Sequence, residues 1–127
     1  MQIRVYYEDT DCGNVVYYAN YLRFMERSRT EYLRERGIDL SHWQKKGFTF
    51  VVVEVHGKYH ASAQYNDLLD VVSCVTELTR VSVVFETAIS HSNGTLLFEG
   101  YVRLACISKN SKPTRIPGEI ASALATD

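Results

Sequence analysis

The sequence predicts an α+β fold in which one long helix covers an antiparallel sheet. Three observations predict it: a single long stretch with three-and-four spacing from about Tyr17 to Arg36, a short period-2 segment ahead of it, and β-branched and aromatic runs behind it. The opening segment alternates Ile3, Val5 and Tyr7 with Gln2, Arg4 and Tyr6, the pattern of a short strand with one buried face. In the helical stretch Tyr18, Tyr21, Leu22, Met25, Tyr32 and Leu33 make the apolar stripe, while Arg23, Arg27, Glu31 and Arg34 fall elsewhere. Gly37 is placed to end this helix in a left-handed cap, with Arg34 and Arg36 in the last turn where the helix dipole favours cations. Ser28 and Arg29 fall on the inner side, the first as a small residue permitting close packing, the second with Asp9 as a candidate partner.

From Phe48 the segment FTFVVVEVHGKYH reads as a long strand, and YNDLLD as a turn. DVVSCVTELTRVSVVFETAISH supplies two more strands, broken at Arg80-Val81-Ser82. Ser92-Asn93-Gly94 marks a hairpin, with Asn-Gly expected to supply positive φ, and the alternation of Leu96, Phe98, Gly100, Val102, Leu104 and Cys106 predicts a final long strand. The tail holds both prolines and is expected to end in a short, frayed helix. A sheet covered on one face leaves open edges, so pairing of two copies is expected.

A chain of 127 residues, 46% hydrophobic, is read as one domain spanning residues 1–127. Lys and Arg number 14 against 15 Asp and Glu, and the net charge of -1 supplies no global field for nucleic acid or an anionic membrane. Cys12, Cys74 and Cys106 are odd in number and form no C-x-x-C pair, which favours a reducing compartment over a disulfide framework. The acidic start lacks the shape of a signal peptide, and no run approaches the length of a membrane span. The expectation is a cytoplasmic protein with no membrane span.

The densest polar cluster, Glu8-Asp9-Thr10-Asp11-Cys12-Gly13-Asn14, lies between the first strand and the long helix. A carboxylate there, beside a helix N-terminus whose unpaired N–H groups can stabilise an oxyanion, holds both parts needed for acyl transfer. Asp9, Asp11 and Asn14 are equally ordinary helix caps, and the local pattern leaves both readings open. His56 and His60 are four apart, but along a strand that is about 13 Å, so no shared metal is expected. Cys12 has no His near it in sequence to activate a thiol.

The stretch Arg4-Val5-Tyr6-Tyr7-Glu8-Asp9-Thr10-Asp11, then Val15-Val16-Tyr17-Tyr18-Ala19-Asn20-Tyr21 and Glu26-Arg27-Ser28-Arg29-Thr30-Glu31-Tyr32-Leu33, closely resembles the 4-hydroxybenzoyl-CoA thioesterase family, nearest its Tol-Pal-associated acyl-CoA thioesterase branch. The resemblance continues through Ala63, Asp67, Leu69, Gly94, Gly100 and Arg115-Ile116-Pro117. It implies a hot-dog fold, a long central helix wrapped by a five- to six-stranded antiparallel sheet. It also implies a homodimer or homotetramer with a thioester bound at the dimer interface and no cofactor. Carried over by position, Asp11 is the catalytic carboxylate, nucleophile or general base, and Tyr18 the helix-start residue whose backbone N–H polarises the carbonyl. Asn14, Val16 and Tyr17 fall at substrate-binding positions. Many members of the branch have His where this chain has Tyr18, and Gly where it has Asn14; Asn tolerates the left-handed backbone, so the loop shape is expected to survive. Lys58 and the tail cluster Lys109, Lys112 and Arg115 are candidates for the CoA phosphates.

The resemblance thus implies hydrolysis of short-chain or aromatic acyl-CoA thioesters, with acyl carrier protein as an alternative carrier. The rival readings are an acyl-thioester dehydratase, disfavoured because that chemistry uses a His where this chain has Tyr18, and a non-catalytic module binding acyl carriers or envelope-lipid partners.

Overall fold

A computed structural model describes residues 1–125 of the chain. Its strands are β1 (Gln2–Arg4), β2 (Thr49–Tyr59), β3 (Leu68–Leu78), β4 (Ser82–His91) and β5 (Leu96–Ile107), and its α-helices are α1 (Asn20–Glu35), α2 (Leu40–Lys45) and α3 (Gly118–Leu124). One antiparallel sheet has the order β1-β3-β4-β5-β2, so β3, β4 and β5 form a meander while β2 returns to the far edge beside β5. The break between β3 and β4 falls at Thr79–Val81, where the Thr79 hydroxyl accepts from the Ser82 N–H at 2.9 Å.

Helix α1 lies across β3 and β4 and buries Asn20, Tyr21, Phe24, Met25, Ser28, Tyr32 and Leu33. The stripe differs from the predicted one at three places. Tyr18 precedes the helix and is 63% exposed, Leu22 points away, and Phe24 takes a core place at 1% exposure. The helix starts at Asn20 rather than Tyr17, which sets its phase so that 21, 24, 25, 28 and 32 face the sheet. Ser28 Oγ lies 2.8 Å from Ser73 Oγ, which lies 2.7 Å from Thr87 Oγ1, so the close packing its size permits comes with a hydroxyl chain reaching two strands. Arg29 does not meet Asp9: it lines an apolar cavity with Leu33, Leu40, Phe50 and Phe85, and the charge that reaches it is that of Glu26, one turn earlier.

Gly37 ends α1 as predicted, at φ +79°, with its N–H on the Arg34 carbonyl and the Ile38 N–H on that of Leu33. Helix α2 follows, capped by Asp39, whose carboxylate accepts from the Ser41 N–H at 3.0 Å, and it buries Trp43. Strand β1 is shorter than its alternation predicts. Asp9 folds the chain back by accepting from the Tyr6 N–H at 2.8 Å, so Tyr7 enters a 3₁₀ turn and is 74% exposed. The YNDLLD turn is also shorter than read, because Leu68, Leu69 and Asp70 already pair with β1.

Candidate functional site

Thr10 and Val16 form an isolated bridge, and inside it the chain reverses between Asp11 and Val15 in the three-residue loop 12–14. The Asp11 N–H donates to the Val15 carbonyl at 3.0 Å, and the Asn14 N–H to the Asp11 carbonyl at 3.1 Å. Loops closed this way need a left-handed third residue, and Asn14 has φ +64°. The β4–β5 turn closes by the same pair of bonds, from His91 N–H to Thr95 and from Gly94 N–H to His91, with Gly94 at φ +96°. Asn14 therefore takes the backbone role that Gly94 takes in the hairpin. There only Gly94, not Asn93, has positive φ, so that turn is not the two-residue form that Asn-Gly suggests.

The loop separates the two aspartates by role. Asp11 is exposed; its Oδ1 accepts from the Gly13 N–H at 2.7 Å, and its Oδ2 has no partner among the described residues. Asp9 is structural, its carboxylate on the Tyr6 N–H and its carbonyl accepting from the Tyr17 N–H at 2.9 Å and Asn20 Nδ2 at 2.8 Å. None of Asp9, Asp11 and Asn14 caps α1: the cap position is Ala19, with no side-chain bond. The capping alternative thus falls away, and Asp11 is left available.

The helix head that follows the loop also has a donor to offer. Tyr17 N–H is used by Asp9, and Asn20 N–H by the Tyr17 carbonyl, but the Tyr18 N–H has no acceptor among the described residues. The Tyr17 and Tyr18 rings sit 4.9 Å apart. A hydrogen bond with the Tyr18 phenol, then that phenol's charge and burial, pushes the Tyr17 phenol above its ordinary value, and the charge of Asp11 adds the smallest share. The charge of Asp11 therefore reaches Tyr17 at the helix head.

The other predicted residues separate into near and far. Val16 is buried, its N–H on the Ala63 carbonyl at 2.8 Å, so it anchors the loop to the core. Lys58 is exposed on β2 opposite Glu99. Lys109 lays its stem over Gly47, Lys112 accepts from Ser108 N–H through its carbonyl, and Arg115 is exposed. Tyr59 pairs with Phe98 while Thr49 pairs with Ile107. That run of strand is roughly 30 Å, and within one chain it keeps the tail cluster from the site. His56 stacks on Tyr101 and His60 lies 3.1 Å from Glu99. Sequence periodicity does not single out Tyr59, whose hydroxyl donates to the Tyr18 carbonyl at 2.9 Å; its one signal is an aromatic closing a predicted strand.

The model of the thioesterase-like superfamily matches residues 5–124. The chain belongs to this superfamily. It is 37% identical over 121 residues to the acyl-CoA thioester hydrolase YbgC of Escherichia coli O157:H7, covering 94% of this chain and 90% of that one. To the acyl-CoA thioesterase YbgC of Haemophilus influenzae it is 38% identical over 123 residues, covering 95% and 90%. Among solved structures it matches a probable thioesterase from Bartonella henselae with a TM-score of 0.85 at 34% identity, covering 92% of this chain and 97% of that one. It matches the hypothetical protein TT1821 from Thermus thermophilus at 0.93 and 29%, covering 98% and 95%. The protein is a thioesterase with the hot-dog fold. No helix among its described residues is long and apolar enough to cross a membrane.

Proposed function

We propose that this thioesterase hydrolyses short-chain or aromatic acyl-CoA thioesters to the free acid and CoA, with Asp11 as the catalytic carboxylate. One observation carries the reading: the exposed Asp11 carboxylate, with one oxygen held by its own loop and the other without a partner among the described residues, lies in the loop that leads into a helix head whose Tyr18 N–H has no acceptor among those residues. A thioester carbonyl placed between them would be attacked by the carboxylate, expelling the CoA thiolate and leaving a mixed anhydride for water to open, or by a water that the carboxylate deprotonates. In either route negative charge develops on the carbonyl oxygen, where the Tyr18 N–H would receive it. The names of the YbgC relatives support acyl-CoA as substrate; acyl carrier protein is the alternative carrier.

The distant Lys109, Lys112 and Arg115 fit this reading through a second copy. If two chains pair antiparallel along β2, the Thr49 end of one lies beside the Tyr59 end of the other, and the partner's tail cluster approaches the CoA phosphates. A homodimer, alone or within a homotetramer, is then the working unit.

Thiol release from short-chain, long-chain and aromatic acyl-CoAs tests the proposal. Turnover concentrated on the short or aromatic members is expected. A preference for long chains would overturn the substrate class, and silence across all three would overturn the acyl-CoA reading in favour of a partner-binding role.

A further inference from the structure

Helix α1 opens with a carbonyl that its own ladder does not use. In a regular helix the Tyr18 carbonyl would accept from the Leu22 N–H, four residues on. Here that N–H donates to Ala19 instead, at 3.1 Å. The partner of the Tyr18 carbonyl comes from the other edge of the molecule: Tyr59, the last residue of β2, donates its hydroxyl at 2.9 Å.

The Tyr59 ring is held from three sides. Its centroid lies 5.0 Å from that of Phe98, 5.4 Å from Tyr21 and 6.4 Å from Tyr18, all at steep interplanar angles. Two of these neighbours are themselves fixed. Phe98 is fully buried, and Tyr21 stacks on it while its hydroxyl accepts the Ala63 N–H at 3.0 Å. With its ring clamped, the phenol has little freedom to aim anywhere but at the helix head. Although Tyr59 is half exposed, partial burial also pushes this phenol above its ordinary value, the direction that keeps the hydroxyl a donor.

We propose that Tyr59 is a positioning residue for the oxyanion site, acting through the peptide that joins Tyr18 to Ala19. The Tyr18 carbonyl and the Ala19 N–H belong to one planar unit, so pinning the oxygen fixes where the N–H points. A hydrogen bond to the oxygen also polarises the amide and strengthens that N–H as a donor. The Ala19 N–H, like that of Tyr18, has no acceptor among the described residues. Two successive free donors therefore stand at the helix head, and Tyr59 sets the second of them. This inference rests on the reading of Asp11 and the helix head as the catalytic site.

Tyr59→Phe keeps the ring and removes only the hydroxyl. With the acyl-CoA that the native enzyme hydrolyses best, kcat is expected to fall about three- to tenfold with KM changed less than about twofold, the signature of an interaction made in the transition state. A thermal melt run in parallel separates positioning from packing. A lowered midpoint with native kcat in the folded protein, or a change confined to KM, would overturn the proposal. Asp11→Asn, assayed beside it, separates the two levels. If Asp11→Asn is inactive and Tyr59→Phe is as fast as native, the positioning role alone is wrong; if Asp11→Asn is as fast as native, the site and the role fall together.

Discussion

Gly57 and Gly100 face each other across β2 and β5, and the Phe98 ring fills the space between the strands and α1. A Cβ at Gly57 would sit 2.8 Å from Phe98 Cε2, a ring that cannot retreat because Tyr21 and Tyr59 pack against it. At Gly100 the obstacle is harder, because a Cβ there would run into the His56 carbonyl oxygen, which is backbone. In Gly100→Ala the two strands must part by roughly 1 Å to restore a normal carbon–oxygen contact. That stretches the flanking ladder bonds past useful length, at about 1 kcal/mol each, and adds an overpacking cost of about 1–3 kcal/mol. A loss of about 2–4 kcal/mol is expected, which for a domain of this size lowers Tm by roughly 10 °C. Because Tyr59 lies two residues beyond Gly57, kcat should fall as well. Circular-dichroism melts and steady-state assays of Gly100→Ala read both effects; a Tm within about 2 °C of native would refute the close approach from which the magnitude is worked.

Asn14→Val forces a β-branched residue to positive φ, so it should cost about 1–2 kcal/mol and disturb Asp11, whereas Asn14→Gly should keep native stability in urea unfolding and native kcat. The Tyr32 hydroxyl is buried with no partner among the described residues, so Tyr32→Phe should melt at or above the native temperature; a clear fall would reveal a bond to this hydroxyl. The hydrogen bond from Tyr101, then that from Arg103, holds the Glu54 carboxyl below its ordinary value. The folded state thus binds this proton more weakly than the unfolded state. The stabilisation is complete above the ordinary Glu range and is lost as pH falls through the lowered value. Melts taken from pH 6 to pH 3 should show a shallower acid loss in Glu54→Gln than in the native protein, and parallel curves would contradict the pairing.

Much of this fold was legible because its signals are local. The three-and-four spacing around Met25 and Tyr32, Gly37 after the helix, and the alternation from Leu96 to Cys106 each report on neighbours a few residues away. What escaped depends on which partner a single residue takes, not on a repeating pattern. Tyr7 alternates like a strand residue, yet the Asp9 carboxylate turns the chain before Tyr7 can pair. The start of α1 moved from Tyr17 to Asn20 because the carbonyls that would open the ladder are used otherwise: that of Tyr17 accepts from the Asn20 N–H, three residues on, and that of Tyr18 from the Tyr59 hydroxyl. Helix α2 is six residues long, too short for a period to stand out, although Asp39 two residues before Ser41 was a usable capping signal.

The candidate site divides the same way. The cluster from Glu8 to Asn14 is contiguous, so the loop could be named from the sequence, while Asp11 within it came from the family resemblance; the left-handed Asn14 followed from its residue type. The division of labour between Asp9 and Asp11 could not, since both are Asp in one short loop and only their bonds to Tyr6 and Gly13 tell them apart. Tyr59 reaches the helix head from 41 residues away, and nothing in its own segment announces the contact.

The central claim is that the second carboxylate of this pair does the chemistry while the first holds the loop. Thiol release from the preferred acyl-CoA by Asp11→Asn and Asp9→Asn, each shown to be folded, tests it most directly. Asp11→Asn should lose about 10²- to 10⁴-fold in kcat with a native melting temperature, while Asp9→Asn should melt earlier and keep most of its turnover when folded. Native turnover in Asp11→Asn, or a catalytic collapse confined to Asp9→Asn, would contradict the account.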